Sequence, residues 1–325
     1  MAIGSGIGSQ LGIAAETTFN NAVTVTRFYE FTSENIQFQK KTAVGMGLRA
    51  GGQLPRSQRR VVTTTDVSGD FTLDLPTRGL GLLLAQAMGT SPSPTTVTTG
   101  VYSYTFTLGD VYGRSFTAQV GVPQYGGTVT PKTVAGTKIQ NFELAVASGG
   151  IATGKFAIDA ASMTTGTSLA SASYSATTNL FQFAQGAITV DGSSVANVKD
   201  FSITVDNTLK QDRYNLGSSG IKAEQVINGF RKISGKLTAE FTDTAFFTKY
   251  YNDTTTALVL TFTGATIAGG QSEKLSITIP AVKFNGDTPN VPGPGVIDLG
   301  MTFEAYDDGT NQPLTIFYQT ADSSL

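Results

Sequence analysis

The chain of 325 residues contains no histidine, no cysteine and no tryptophan. Without cysteine there is no disulfide framework, no thiol nucleophile and no thiolate metal site. Without histidine there is no Ser-His-Asp triad and no zinc hydrolase site of the usual ligand sets. Carboxylate-pair and Ser-Lys chemistry stay open in principle, but the ground for an enzyme is narrow, and no cofactor is expected. Charge is scarce too: 14% of residues are Asp, Glu, Lys or Arg, against about 25% in ordinary soluble domains. Glycine, threonine and serine fill the gap, as in chains that pack against copies of themselves or in any turn-rich all-β protein. No run approaches the ~18 apolar residues of a transmembrane helix. The opening MAIGSGIGSQLGIAAETTF lacks the basic and continuous apolar stretches of a signal peptide. The expectation is a chain made in a cytoplasm, with no membrane partner.

What the chain has is strand. Alternating runs include NIQFQ (35–39), DFTLDL (70–75), SFTAQVGV (115–122), NFELAVA (141–147), FSITVD (201–206), KLTAEF (236–241), KLSITIPAVKF (274–284) and PLTIFYQ (313–319). Only 77–90 and 243–253 read as helices, with Gly89 as a stop and Asp243 as a cap. One strand is written twice, VSGDFTLDL at 67–75 and ISGKLTAEF at 233–241. Each follows an earlier strand, at Ile36 or Ile203, by 31 or 30 residues across a long polar loop, and each precedes a helix. Matches of YTFT with LTFT, of SFTAQVGVP with KLSITIPAV, and of Phe142-Glu143 with Phe303-Glu304 extend the correspondence. Elements recurring in one order at near-constant spacing indicate an internal duplication.

The expected fold is therefore all-β, a mainly antiparallel β-sandwich or barrel with one short flanking helix per repeat. Its divisions are an N-terminal arm (1–23), a first β-domain (24–160), a Ser/Thr-rich linker or wrapping segment (161–179) and a second β-domain (180–325). Residues 1–165 carry 12 basic and 9 acidic side chains, net +3, and residues 166–325 carry 10 and 15, net −5. Two similar modules of opposite sign suggest head-to-tail alternation around a closed assembly.

GGIATGKF (149–156) resembles a phosphate loop, but Phe156 stands where a magnesium-ligating hydroxyl belongs and a strand follows, so a hairpin turn is expected. DDGTN (307–311) reads as a tight turn rather than a calcium loop. GSGIGS (4–9) opens a flexible arm whose Ile3, Ile7, Leu11 and Ile13 could dock on a neighbour. LRAGGQLPRSQRR (48–60) carries Arg49, Arg56, Arg59 and Arg60 with no acidic residue between them. Its readings are nucleic-acid contact, docking on an acidic partner, or a solvated loop; the absence of aromatic residues weakens the first. Alternation puts Asp70, Thr72 and Asp74 on one face of the first repeated strand and Lys236, Thr238 and Glu240 on one face of the second. Glu143, Asp206 and Glu304 occupy similar outward positions.

These segments, together with VKDFSITVDNTLKQDRYNLGSS, ALVLTFTGATIAGG and AYDDGTNQPLTIFYQT, resemble over nearly the whole chain the major tail tube protein of long-tailed, non-contractile bacteriophages. The resemblance implies a structural virion protein whose β-sandwich subunits join into rings. The rings stack, and the lumen conducts genomic DNA without sequence-specific binding. Most such rings hold six single-domain subunits, so a duplicated chain implies a trimeric, pseudo-hexameric ring. It also implies assembly in the host cytoplasm with a tape-measure protein and tail-tip and terminator proteins. Asp70, Thr72, Asp74, Glu143, Asp206, Thr238, Glu240 and Glu304 become candidates for the lumen face, with Lys236 departing from an all-acidic lining. Arg49, Arg56, Arg59 and Arg60 become candidates for a ring-to-ring contact. The competing readings are a surface β-sandwich that binds carbohydrate and a carboxylate glycosidase.

Overall fold

The alternating runs fold as antiparallel strands throughout the computed structural model, which describes residues 5–175, 178–286, 288–291 and 293–325. The first half supplies β1 (Gln10–Ala15), β2 (Arg27–Tyr29), β3 (Ser33–Glu34), β4 (Gln37–Val44), β5 (Arg60–Asp74) and helix α1 (Leu80–Met88). It continues with β6 (Thr95–Thr98), β7 (Val101–Thr107), β8 (Phe116–Pro123), β9 (Val129–Ala147), β10 (Thr153–Ala160) and β11 (Ser162–Thr164). The second half supplies β12 (Gly186–Val190), β13 (Ser193–Val195), β14 (Val198–Asp206), β15 (Lys232–Glu240) and helix α2 (Ala245–Tyr251). It ends with β16 (Thr256–Ala268), β17 (Gln271–Gly286), β18 (Asp298–Ala305) and β19 (Thr315–Thr320). Both helices lie inside the predicted windows. Gly89 ends α1 in the left-handed region (φ 81°), a backbone conformation glycine adopts without steric cost. Asp243 accepts from the Ala245 amide at 2.8 Å at the start of α2.

One sheet passes through both halves in the order β3/β4, β5, β10, β9, β14, β15, β18, β17. The long strands β9 and β17 (19 and 16 residues) leave this sheet partway and enter outer layers. There the first part of β9 lies between β8 and β11, and β8 pairs with β1. The first part of β17 lies between β16 and β19, and β16 pairs with β12. A second joint between the halves is the pairing of β19 with β7. Residues beyond β19 stay on the first half, where the Gly79 amide donates to Asp322 Oδ2 at 2.6 Å and the Tyr104 hydroxyl to the Asp322 carbonyl at 2.9 Å.

The inward face of the shared sheet is aromatic and aliphatic. Phe71, Leu73, Phe142, Phe156, Phe201, Leu237 and Phe303 are at most 2% exposed. Rings meet across the strands, Phe71 with Phe156 at 5.6 Å, Phe156 with Phe142 at 6.1 Å, Phe201 with Phe303 at 5.8 Å and Phe303 with Phe284 at 6.3 Å. Such pairs add roughly 0.5–1.5 kcal/mol each beyond the area they bury.

Two expectations change and a third is narrowed. The first long polar loop is largely a projecting hairpin, because β4 and β5 stay paired out to Val44 and Arg60 and leave only 45–59 as its tip. The arm is not free over its length: Leu11 and Ile13 are 0% exposed in β1, held between β2 and β8. Of the two readings of 161–179, linker or wrapping segment, the contacts favour wrapping, with β11 on β9 and the Ala170 amide donating to Gln119 Oε1 at 2.8 Å.

Succession of partners also refines the repeat. β8 and β9 lead to β10 beside β5, as β16 and β17 lead to β18 beside β15. The hairpin of β6 and β7 has no counterpart after α2, so it displaces the later sequence matches by one strand. By its partners Glu304 answers to Asp159, opposite Ser68, because Glu304 stands opposite Ser234. The doubled Ser-Gly has a steric origin. A Cβ on Gly69 would sit 2.0 Å from the Asn35 carbonyl oxygen, and one on Gly235 would sit 2.3 Å from that of Ser202. Gly69→Ala and Gly235→Ala should each lower the free energy of unfolding by about 1–3 kcal/mol, measured by urea titration. Ser68→Ala, half-exposed, should change it by less than about 0.5 kcal/mol.

Candidate functional site

The outward face of the shared sheet carries one row contributed by every strand: Ser33, Thr72, Lys155, Glu143, Thr204, Ser234, Glu304 and Lys283 stand opposite one another in succession. Asp70, Ala157, Asn141, Asp206 and Lys232 form the row on one side. Asp74, Thr153, Ala145, Ser202, Lys236 and Thr302 form the row on the other, followed by Asp200 with Thr238 and by Glu240 with Asp298. Asp70, Thr72, Asp74, Glu143, Asp206, Thr238, Glu240 and Glu304 thus share one face of one sheet, although they come from five strands in two halves of the chain. None of the positions in these rows is aromatic.

Several members were not singled out from the sequence. Lys155 lies 3.7 Å from Asp70. Lys199, displaced by a bulge between Val198 and Asp200, bridges Glu240 at 3.1 Å and Asp298 at 2.7 Å. Its hydrogen bonds to Asp298 and Glu240 hold the ammonium above the ordinary lysine range. Alternation in KFAIDAA and VKDFSITVD was the available signal for Lys155 and Asp200. Acids on the face (Asp70, Asp74, Glu143, Asp200, Asp206, Glu240, Asp298, Glu304) outnumber bases (Lys155, Lys199, Lys232, Lys236, Lys283) by eight to five. The face is weakly acidic.

Arg49, Arg56, Arg59 and Arg60 are all exposed, on or beside the tip of the β4–β5 hairpin. Among the described residues none of them is ion-paired. The Arg59 guanidinium lies over Gly47, where a Cβ would meet Nη1 at 2.7 Å. Met46, Leu48 and Leu54 are exposed on the same tip. Of the arm residues, Ile7 is exposed, Leu11 and Ile13 are core, and Ile3 lies outside the described residues. Residues 148–150 turn between β9 and β10 as expected, and Asp308 Oδ1 accepts from the Thr310 and Asn311 amides in a tight turn.

The segment between β14 and β15 does what the β4–β5 tip does not: it folds back onto the other half. Lys222 Nζ sits between Asp159 Oδ1 at 2.5 Å and Asp66 Oδ1 at 2.6 Å, with its side chain 1% exposed. Gln225 Nε2 donates to the other Asp159 oxygen at 2.7 Å. Lys138 Nζ donates to Glu224 Oε1 at 2.7 Å and to the Val111 carbonyl at 2.6 Å. Burial raises the Asp159 carboxyl above the usual carboxylate range against the opposing pull of Lys222. Burial also disfavours the Lys222 ammonium, but its hydrogen bonds to Asp159 and Asp66 outweigh that and hold it above the ordinary lysine value. The Lys138 ammonium is lowered by burial, an effect its bond to Glu224 only partly offsets. Nothing in the sequence pattern distinguished these residues from surface charges.

A family model described as phage tail tube protein matches residues 6–305. The chain belongs to the phage tail tube protein family, whose members are structural components of the virion tail that assemble with other tail proteins. No curated protein matches it.

The buried latch makes its own prediction. Lys222→Met would leave Asp159 buried without its cation and should lower the unfolding free energy by about 3–5 kcal/mol. Lys210→Met, whose partner Asp212 is exposed, should stay within about 1 kcal/mol of the parent. Chemical denaturation of both variants checks the contrast.

Proposed function

We propose that this tail tube protein closes rings of three chains, that the rings stack into a hollow tube, and that genomic DNA passes through the lumen during ejection. The observation that carries the reading is the joint inside the chain. There β14 pairs along residues 141–147 of β9 and makes the two halves one sheet. β3/β4 stands to β5 as β14 stands to β15, and residues 282–286 of β17 stand to β18 as the second part of β9 stands to β10. The outer edge of β3/β4 and that of residues 283–286 are left without a strand partner among the described residues. Pairing one with the other on the next chain repeats the internal joint. A closed ring then has no exposed edge, which in an isolated chain invites uncontrolled pairing. Two such modules per chain make three chains the counterpart of the family's six single-domain subunits.

The weakly acidic face becomes the lumen wall. A surface that bound phosphate through Lys and Arg would release counterions and hold the duplex, and aromatic side chains would offer stacking platforms. The paired rows of the face have a net acidic count and no aromatic position, which suits passage. The same reading makes a tape-measure protein and tail-tip and terminator proteins the partners of assembly, carried out in the host cytoplasm. The exposed arginine hairpin is a contact to a neighbouring copy.

Electron microscopy of the purified protein at high concentration tests this, with ring symmetry taken from end-on views. Striated hollow tubes with three chains per ring are expected. Six chains per ring would sink the account of the repeat, and chains that stay dispersed even with tail-tip proteins added would sink the tube. Virions carrying Asp70→Lys with Glu143→Lys and Asp206→Lys should release DNA more slowly, and the difference should shrink as ionic strength rises.

A further inference from the structure

The segment 207–231 and the tip 45–59 occupy the same place in the succession of strands. One joins β14 to β15, the other joins β4 to β5. Counting back from the shared serines, Lys222 precedes Ser234 by 12 residues and Arg56 precedes Ser68 by 12. Gln225 and Arg59 each stand 9 residues before those serines. Thus the two side chains that hold Asp159 in the internal latch have basic counterparts on the exposed hairpin. The receptor has a counterpart as well. Asp159 lies opposite Ser68 and Lys138, and Glu304 lies opposite Ser234 and Lys283. Lys138 is covered by Glu224 and by the Val111 and Gln225 carbonyls, whereas among the described residues Lys283 is ion-paired with Asp253 alone. Glu304 is exposed, and among the described residues its carboxylate accepts only from the nearby Tyr306 hydroxyl, at 3.0 Å. A shallow groove runs beside it, lined by Phe230, Ser234, Ala305, Tyr306 and Asp307.

We infer that the arginine hairpin of one chain latches sideways onto the second half of the adjacent chain in the same ring, with Arg56 and Arg59 on the Glu304 carboxylate. This rests on the ring reading above, names the neighbour and the residues of that contact, and takes Glu304 out of the free acids of the lumen wall, where seven acids still face five bases. Charge favours it, since the half that carries the hairpin is net +3 and the half that carries Glu304 is net −5. The exposed Met46, Leu48 and Leu54 on the tip meet an apolar counterpart in Phe230 and Tyr306. The one mismatch is Lys232, which stands where Asp66 helps to hold Lys222. Lys232 is exposed and free to turn away, so the contact is expected to be weaker than the buried latch. That suits a joint made and tested between chains. The partner differs from the ring-to-ring neighbour expected from the sequence.

The chain has no cysteine, so Arg56→Cys with Glu304→Cys in one chain introduces the only thiols. Both positions are exposed. Assembled tubes treated with a short bis-maleimide and run on a denaturing gel should give dimers and trimers and nothing larger, because a sideways contact closes on itself. A ladder that stops at six would keep the sideways latch and sink the three-chain ring. A ladder without limit would overturn the proposal in favour of ring-to-ring contact, and so would tubes that form without cross-linking. If the parent chain, with Arg56 and Glu304 intact, never assembles, the tube reading is the one that fails. In a second measurement, Arg56→Glu should raise the protein concentration needed for tubes by about tenfold, equivalent to ~1.4 kcal/mol. Adding Glu304→Arg to that variant should recover most of the loss. Absence of recovery, with both variants folded by circular dichroism, would overturn the pairing.

Discussion

An open strand edge is a row of unpaired amide and carbonyl groups, and a sheet that spans the whole chain must put its two edges somewhere. Here the inner edge of each half is closed within the molecule, by β9 against β14. The outer pair, β3/β4 and residues 283–286 of β17, has no strand partner among the described residues. The rest of the architecture follows from keeping that sheet continuous. Long strands bend out of it to build the outer layers, helices cover its apolar side, and glycines at 69 and 235 let the neighbouring backbone approach.

The sheet also separates two chemistries that would otherwise interfere. Its covered face holds the phenylalanine ladder from Phe71 to Phe284, and its open face holds threonine, serine and a modest excess of carboxylates. Period-2 alternation makes this division automatic, because a shift of register by one residue would exchange the faces. The crossing strands agree on register over every row from Ser33 to Lys283. A mixed, weakly charged face tolerates Lys155 and Lys236 because each stands near an acid or a hydroxyl and none forms a basic patch.

Much of this was legible. The repeated VSGDFTLDL and ISGKLTAEF marked two strands at the same node, and their alternation assigned Phe71 and Leu237 to the core and Asp70 and Glu240 outward. What misled was insertion. The β6–β7 hairpin has no sequence mark beyond ordinary alternation, so YTFT was matched to β16 and Glu143 to Glu304, each one strand out of step. The latch was invisible for a different reason. Lys222, Asp159 and Lys138 become a buried cluster only when a segment 63 residues away in sequence folds over Asp159, and single-sequence periodicity does not carry long-range pairing. Leu11 and Ile13 belong to a strand whose partner, β8, is about a hundred residues distant, and in isolation they look like an arm.

The pairing of β7 with β19 has a kinetic consequence. Thr105 lies opposite Phe317, so the outer layer of the first half stays incomplete until the ribosome has delivered almost all of the chain. Closing so long a loop is entropically slow, and contacts of high sequence separation set the pace of folding. The β3/β4 edge, by contrast, leaves the ribosome early. A nascent chain therefore carries the open β3/β4 edge before its body is finished. Truncated products lacking β19 would keep β7 paired with β6 alone, with its other edge open and Tyr104 without its Asp322 acceptor, and an open edge of that kind invites pairing with the wrong chain.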